Sequence, residues 1–169
     1  MHWVQVLIGP VGVVLQACAR LPSAVACPLA QGFALVPVTD RLVGELQNVV
    51  HRQSDEVLLH SGEMAPGLAK MAAELSMNGP MVYAATFIHG GTGGQDAVVW
   101  CDGDVVLNIG DDEDTMSAWP DSPISRALRR AGVVASDGMD EFDTIGLGRY
   151  RSNEAWEQAF HTPVNDFPG

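Results

Sequence analysis

The pair Asp102-Gly103 alone separates two β-rich runs, "DAVVWC" (96–101) and "DVVLNIG" (104–110). A two-residue hairpin turn needs positive φ at both central positions, which Asp-Gly accepts and most pairs do not. The runs are therefore expected to pair antiparallel as a hairpin over 96–109. Upstream, "MVYAATFIH" (81–89) reads as a third strand. Tyr83, Ala85 and Phe87 share one of its faces, and Val82, Ala84 and Ile88 the other. Apolar residues on both faces describe a central strand covered on each side. The expected fold class is α+β, with a mainly antiparallel central sheet flanked by helices.

Helical signals surround this sheet. "HWVQVLI" (2–8) is a further strand, and Pro10 opens a helix over 11–20. Residues 24–38, broken by Pro28, Gly32 and Pro37, read as two short strands or one bent one. Asp40 is placed as N-cap of a helix over 41–52, with Leu42, Val43, Leu46, Val49 and Val50 on its inner face. Residues 54–63 read as a connection, and Ser61 as the cap of a helix over 64–78 that buries Leu68, Met71, Ala72 and Leu75. Residues 110–121 form an acidic loop. Ser122 then caps a helix with Pro123 in its first turn and Ile124, Ala127, Leu128 and Ala131 facing inward. The stretch 138–160 begins as an extended or turn segment, and Ser152 caps a last helix carrying Trp156, Ala159 and Phe160. With neither linker nor repeat, 1–169 reads as a single domain, with a helix-rich subregion 1–80 and a sheet-centred subregion 81–169.

Charge narrows the partners. The chain carries 21 acidic and 9 basic residues, a formal net charge of −12, which repels nucleic acid and anionic membrane. A basic partner, a cation or plain solubility fits instead. Cys18, Cys27 and Cys101 form no CxxC pair and read as reduced, buried thiols of a cytoplasmic protein; a Cys18–Cys27 bridge is the other option. The apolar N-terminal stretch resembles a leader at Ala24-Val25-Ala26. It lacks a basic start, however, and Gly9-Pro10 interrupts it, so it reads as folded structure.

The glycine run "HGGTGGQD" (89–96) invites a phosphate-loop reading, but no lysine follows and the next run is a strand, not a helix. Its glycines suit a turn between strands, and an exposed loop there would also suit contact with a partner. Asp102, Asp104, Asp111, Asp112, Glu113 and Asp114 offer oxygen ligands for Ca²⁺ or Mg²⁺, yet Val106 breaks the EF-hand spacing. They read as a solvated acidic cluster at one end of the hairpin or as a face for a basic protein. Asp140, Glu141 and Asp143 lie close to Arg149 and Arg151 in the chain, and ion pairs are expected to pin this segment onto the helix of Arg126, Arg129 and Arg130. His89 and Cys101 lie on adjoining strands and stand as a candidate base and nucleophile, without an orienting third group. No catalytic residue, metal site or cofactor is assigned.

Three segments, "FIHGGTGGQDAVVWCDGDVV", "SPISRALRRAGV" and "DEFDTIGLGRYRSNEAW", resemble those of small acidic bacterial immunity proteins paired with polymorphic or secreted toxins. The resemblance covers the C-terminal half and carries no catalytic residue. It implies a non-catalytic cytoplasmic inhibitor that neutralises a toxin by direct binding through an acidic surface. Asp111, Asp112, Glu113, Asp114, Trp119, Gly91, Gly93 and Gln95 are the expected contact residues, and the expected partner is a basic protein such as a cognate toxin. Two alternatives stand beside it. One is a small enzyme using the glycine loop and His89–Cys101 or an Asp-bound metal. The other is a structural homodimer.

Overall fold

The computed structural model describes residues 1–49, 57–65 and 67–161. It has an α+β fold built on one six-stranded antiparallel sheet. The strands are β1 (His2–Pro10), β2 (Cys27–Pro28), β3 (Phe33–Pro37), β6 (Met81–His89), β7 (Thr92–Cys101) and β8 (Asp104–Asp111), in the order β2-β3-β1-β6-β7-β8. A separate short hairpin joins β4 (Leu58–Leu59) to β5 (Gly62–Glu63). The helices are α1 (Val11–Arg20), α2 (Asp40–Val49), α3 (Leu68–Leu75), α4 (Pro123–Arg130), α5 (Glu141–Ile145) and α6 (Asn153–Phe160).

The alternation of each strand sorts its side chains into two cores. Leu7, Val36, Tyr83, Val98 and Trp100 point to one face, where α1, α2 and α3 supply Val14, Leu42 and Leu68. Val6, Ile8, Leu35, Val82 and Val99 point to the other, where α4, α5 and α6 supply Leu128, Ile145 and Trp156. β6 is thus covered on both faces, as its double apolar pattern requires. Helices from the first half of the chain cover one side and helices from the second half cover the other. Among the described residues each half also supplies three strands of the sheet, with β1 and β6 meeting at the join through the register His2↔Ile88 to Ile8↔Val82. The helix-rich and sheet-centred contrast expected of the halves is not what divides them.

The 96–109 hairpin forms as expected, with Asp102 at φ 51° and Gly103 at φ 87°. Other boundaries move for local reasons. Thr39, not Asp40, caps α2, its Oγ1 accepting from the Leu42 amide at 3.2 Å. Val50–Arg52, expected to finish that helix, lie outside the described residues, as does the side chain of Val49. Helix α3 begins at Leu68 after a left-handed Gly67, and its last turn tightens to 3₁₀ at Ser76–Asn78. Ser61 caps nothing there. It sits in the turn of the β4–β5 hairpin, within what the sequence presents as a plain connection. Glu141–Ile145 is helical rather than extended, because Asp140 caps it by accepting from the Asp143 amide at 2.8 Å. Ser152 caps α6 as expected, through the Ala155 amide at 3.1 Å. All three cysteines are free, Cys27 buried and the other two half-buried. Among the described residues no helix is long and apolar enough to cross a membrane.

Candidate functional site

The glycine run resolves into two parts with different causes. Gly90-Gly91, at φ 62° and 87°, makes a tight turn between His89 and Thr92, which pair across β6 and β7. Gly93 and Gly94 are already strand residues. A Cβ on Gly93 would run into the Phe87 carbonyl, and one on Gly94 into the Asp111 carbonyl. They are glycines because neighbouring backbones approach closely, not because a loop must flex. Of the expected contact residues in this run, Gly91 is exposed at the turn, while Gly93 is buried inside the sheet.

Gln95 also departs from expectation. Its Oε1 accepts from the Ile124 amide at 3.1 Å, so a strand side chain caps α4. Ser122, expected in that role, makes no side-chain cap bond. A helix's first amides lack intrahelical acceptors, and Gln95 satisfies one of them from across the chain.

The acidic residues separate sharply. Asp111 is 5% exposed; its carboxylate accepts from the Gln95 amide and the Ser117 amide, both at 2.8 Å. Its side chain braces the start of the loop from within and is not presented at the surface. Asp96, 1% exposed, accepts from the His60 amide at 2.9 Å and from the Ser61 amide and hydroxyl, holding the β4–β5 turn against the sheet. Asp112, Glu113 and Asp114 are exposed. Asp112 receives the Asp114 and Thr115 amides, each at 3.0 Å, and pairs with His60 Nε2 at 2.9 Å. The hydrogen bond from His60, with those of Thr115, lowers the Asp112 pKa to about 2, and the same bond to Asp112 raises that of His60. Thr92 Oγ1 donates to Glu113 at 3.3 Å and so ties the glycine turn to the acidic loop.

Trp119 closes this loop and is 54% exposed. Its indole N–H donates to Glu141 Oε2 at 2.9 Å, and Arg129 Nε donates to the other carboxylate oxygen at 2.9 Å. Burial of Glu141 acts to raise its pKa, but the Arg129 and Trp119 bonds outweigh that and leave it lowered. Of the expected pairings of Asp140, Glu141 and Asp143 with arginines, the one seen among the described residues is this Glu141–Arg129 bridge. Trp119 borders a cleft of about 580 Å³ lined also by Met139, Asp137, Asp140 and Asp143. On the opposite face of the sheet, Gln5, Ser61, Glu63, Tyr83 and Phe87 line a cleft of about 460 Å³ under the β4–β5 hairpin. Burial, with Asp96 adding to it, raises the Tyr83 pKa and keeps a neutral hydroxyl there.

Two expected groupings do not form. β7 holds ten residues between Thr92 and Cys101, so His89 and Cys101 stand at opposite ends of it, ~30 Å apart at strand rise. No proton transfer spans that distance. For the same reason Asp102 and Asp104 lie at the far end of β8 from Asp111 to Asp114. Among the described residues no three His, Cys, Asp or Glu side chains are grouped to hold a metal ion. The sequence reading missed Glu141 as the support of Trp119 and Asp96 as the anchor of the 60–61 turn. Asp140 as a capping residue signals the helix that carries Glu141, but nothing local in the sequence points Glu141 at Trp119. No family model, curated protein or solved structure matches the chain.

Proposed function

We propose that this protein is a non-catalytic binding protein of the immunity or inhibitor kind, which neutralises a basic protein partner, a cognate toxin, by direct contact. The contact end carries the exposed Asp112, Glu113 and Asp114, the Gly91 turn and Trp119. The observation that carries the reading is the presentation of Trp119, an exposed aromatic ring fixed by a buried carboxylate beside an acid-lined cleft. Interfaces draw most of their affinity from a few aromatic or arginine anchors, and an anchor already held in place loses little entropy on binding. A lysine or arginine from the partner would meet the indole face and the carboxylates together. The exposed acids would speed the approach of a basic protein more than they would tighten the final complex.

The test is capture of a basic protein from the native host, followed by co-expression with it. The wild type is expected to protect cells from the captured protein. Trp119→Ala is expected to weaken the complex by at least about tenfold, chiefly through faster dissociation. Asp112→Asn with Glu113→Gln and Asp114→Asn is expected to slow association at low salt and to lose that effect at high salt. Failure to capture any basic protein, or a complex indifferent to both variants, overturns the proposal.

A further inference from the structure

The two edges of the sheet are unlike. β2, at one edge, has two residues, one of them Pro28. β8, at the other, has eight residues, Asp104–Asp111, with neither proline nor lysine among them. Short edges, prolines, charged side chains and bulges are the usual means of keeping foreign strands off a sheet; β8 is long and has no proline, its charges stand only at its two ends, and its bulge lies near its start. Its one irregularity is a bulge at Val106, where the register shifts between Val99↔Leu107 and Trp100↔Val105. From Leu107 to Asp111 the ladder with β7 is regular. Among the described residues, no hydrogen bond other than that ladder engages the backbone of 105–110. Val105 and Val106 are exposed at 45% and 38%. The charges are arranged around this edge in a simple way. Val105–Gly110 is uncharged, with exposed Asp102 and Asp104 before it and exposed Asp112, Glu113 and Asp114 after it.

We infer that β8 is a strand-addition site. Its occupant is an extended segment of the basic partner, apolar in the middle and carrying lysine or arginine at both ends. Main-chain hydrogen bonds to Leu107–Asp111 supply the attachment, and the flanking acids select the partner by charge. A second copy of this chain is a poor occupant. Antiparallel β8–β8 pairing sets Asp102 and Asp104 of one copy against Asp112–Asp114 of the other, and parallel pairing sets each acidic end against itself. Both leave like charges opposed. This inference rests on the basic-partner reading above and adds the mode of attachment.

The experiment uses the full chain and two synthetic peptides. One is a valine–threonine segment flanked by lysines; the other is the same peptide with a central proline, equal in charge but unable to complete a strand. Amide hydrogen exchange is followed with each, alongside light scattering of the free protein. The first peptide is expected to slow exchange at outward-facing amides of Leu107–Asp111, and the proline peptide to bind about tenfold more weakly. Equal binding of the two, or protection confined to 112–121, overturns strand addition while leaving the basic-partner reading intact. Binding of neither peptide also overturns it, and the capture experiment then judges the partner reading separately. A dimer by light scattering with β8 already protected overturns the choice of occupant in favour of a second copy.

Discussion

Asp111 and Asp112 are neighbours in the chain and opposites in the molecule. Asp111 is 5% exposed and spends both carboxylate oxygens on backbone amides, whereas the side chain of Asp112 is 52% exposed and meets a histidine at the surface. Asp96 belongs with the first and Glu113 and Asp114 with the second. A run of acids is thus two devices joined at a strand end. Buried carboxylates hold the loop and the β4–β5 turn in place, and exposed ones give that end of the molecule its charge. Composition counts them alike. The distinction is burial: Asp112 also accepts backbone amides, those of Asp114 and Thr115, but within its own exposed turn, whereas Asp111 and Asp96 tie separate segments together in the interior.

Three perturbations test this division. The largest effect is expected from Gly94→Ala, since its Cβ would meet the Asp111 carbonyl at the joint between the two sets. Backbone cannot yield as a side chain does, so we expect a loss of about 3 kcal/mol, read as a melting temperature lower by about 10 °C. Unchanged melting would mean that the joint is softer than the close approach implies. Next come Asp96→Ala and Asp111→Ala, each removing an acceptor from two backbone amides. About 2 kcal/mol is expected for either in chemical denaturation. By contrast, Glu113→Gln with Asp114→Asn should stay within about 0.5 kcal/mol of wild type. If the exposed pair cost as much as the buried ones, the division would fail.

The smallest effect is the pH response of the His60–Asp112 pair. The raised His60 pKa means that its contribution is full below the ordinary histidine value and is lost as pH rises through the folded one. The Asp112 pKa, lowered to about 2, gives a contribution present above the ordinary carboxylate value and lost as pH falls through about 2. The pair is therefore strongest at mildly acidic pH, between the ordinary carboxylate and histidine values, and weakens as pH rises through the folded His60 value. Histidine resonances followed by NMR should show His60 titrating above the ordinary value in the wild type and returning to it in Asp112→Asn; no change in the variant would remove Asp112 as the cause.

How much of this was legible depends on whether the cause was local. The Asp102-Gly103 turn was, because the φ values it imposes are a property of those two residues. So was the two-faced burial of β6, written as apolar residues at both parities, and so was the Ser152 cap. The glycine run was legible only in part. Four glycines in five positions conceal which pair turns, and the reason for Gly93 and Gly94 lies in the carbonyls of Phe87 and Asp111, which only pairing brings near. Gln95 left no trace at all, since its helix amide is 29 residues away. The β4–β5 hairpin, with two-residue strands, is too short to show a period. Of the expected contact residues, Asp112, Glu113, Asp114, Trp119 and Gly91 are exposed, whereas Asp111, Gly93 and Gln95 serve the interior, for these same nonlocal reasons.

The sorting of helices by chain half bears on the order of assembly during synthesis. When the first eighty residues have emerged, β1 and β3 can pair and α1 to α3 can cover one side. Val4, Val6, Ile8 and Leu35 on the reverse side have no cover until α4 to α6 arrive. The growing chain therefore carries a bare oily surface and an unpaired β1 edge for as long as the ribosome takes to reach Trp156. That interval, rather than any weakness of the finished molecule, is when a chaperone would be needed.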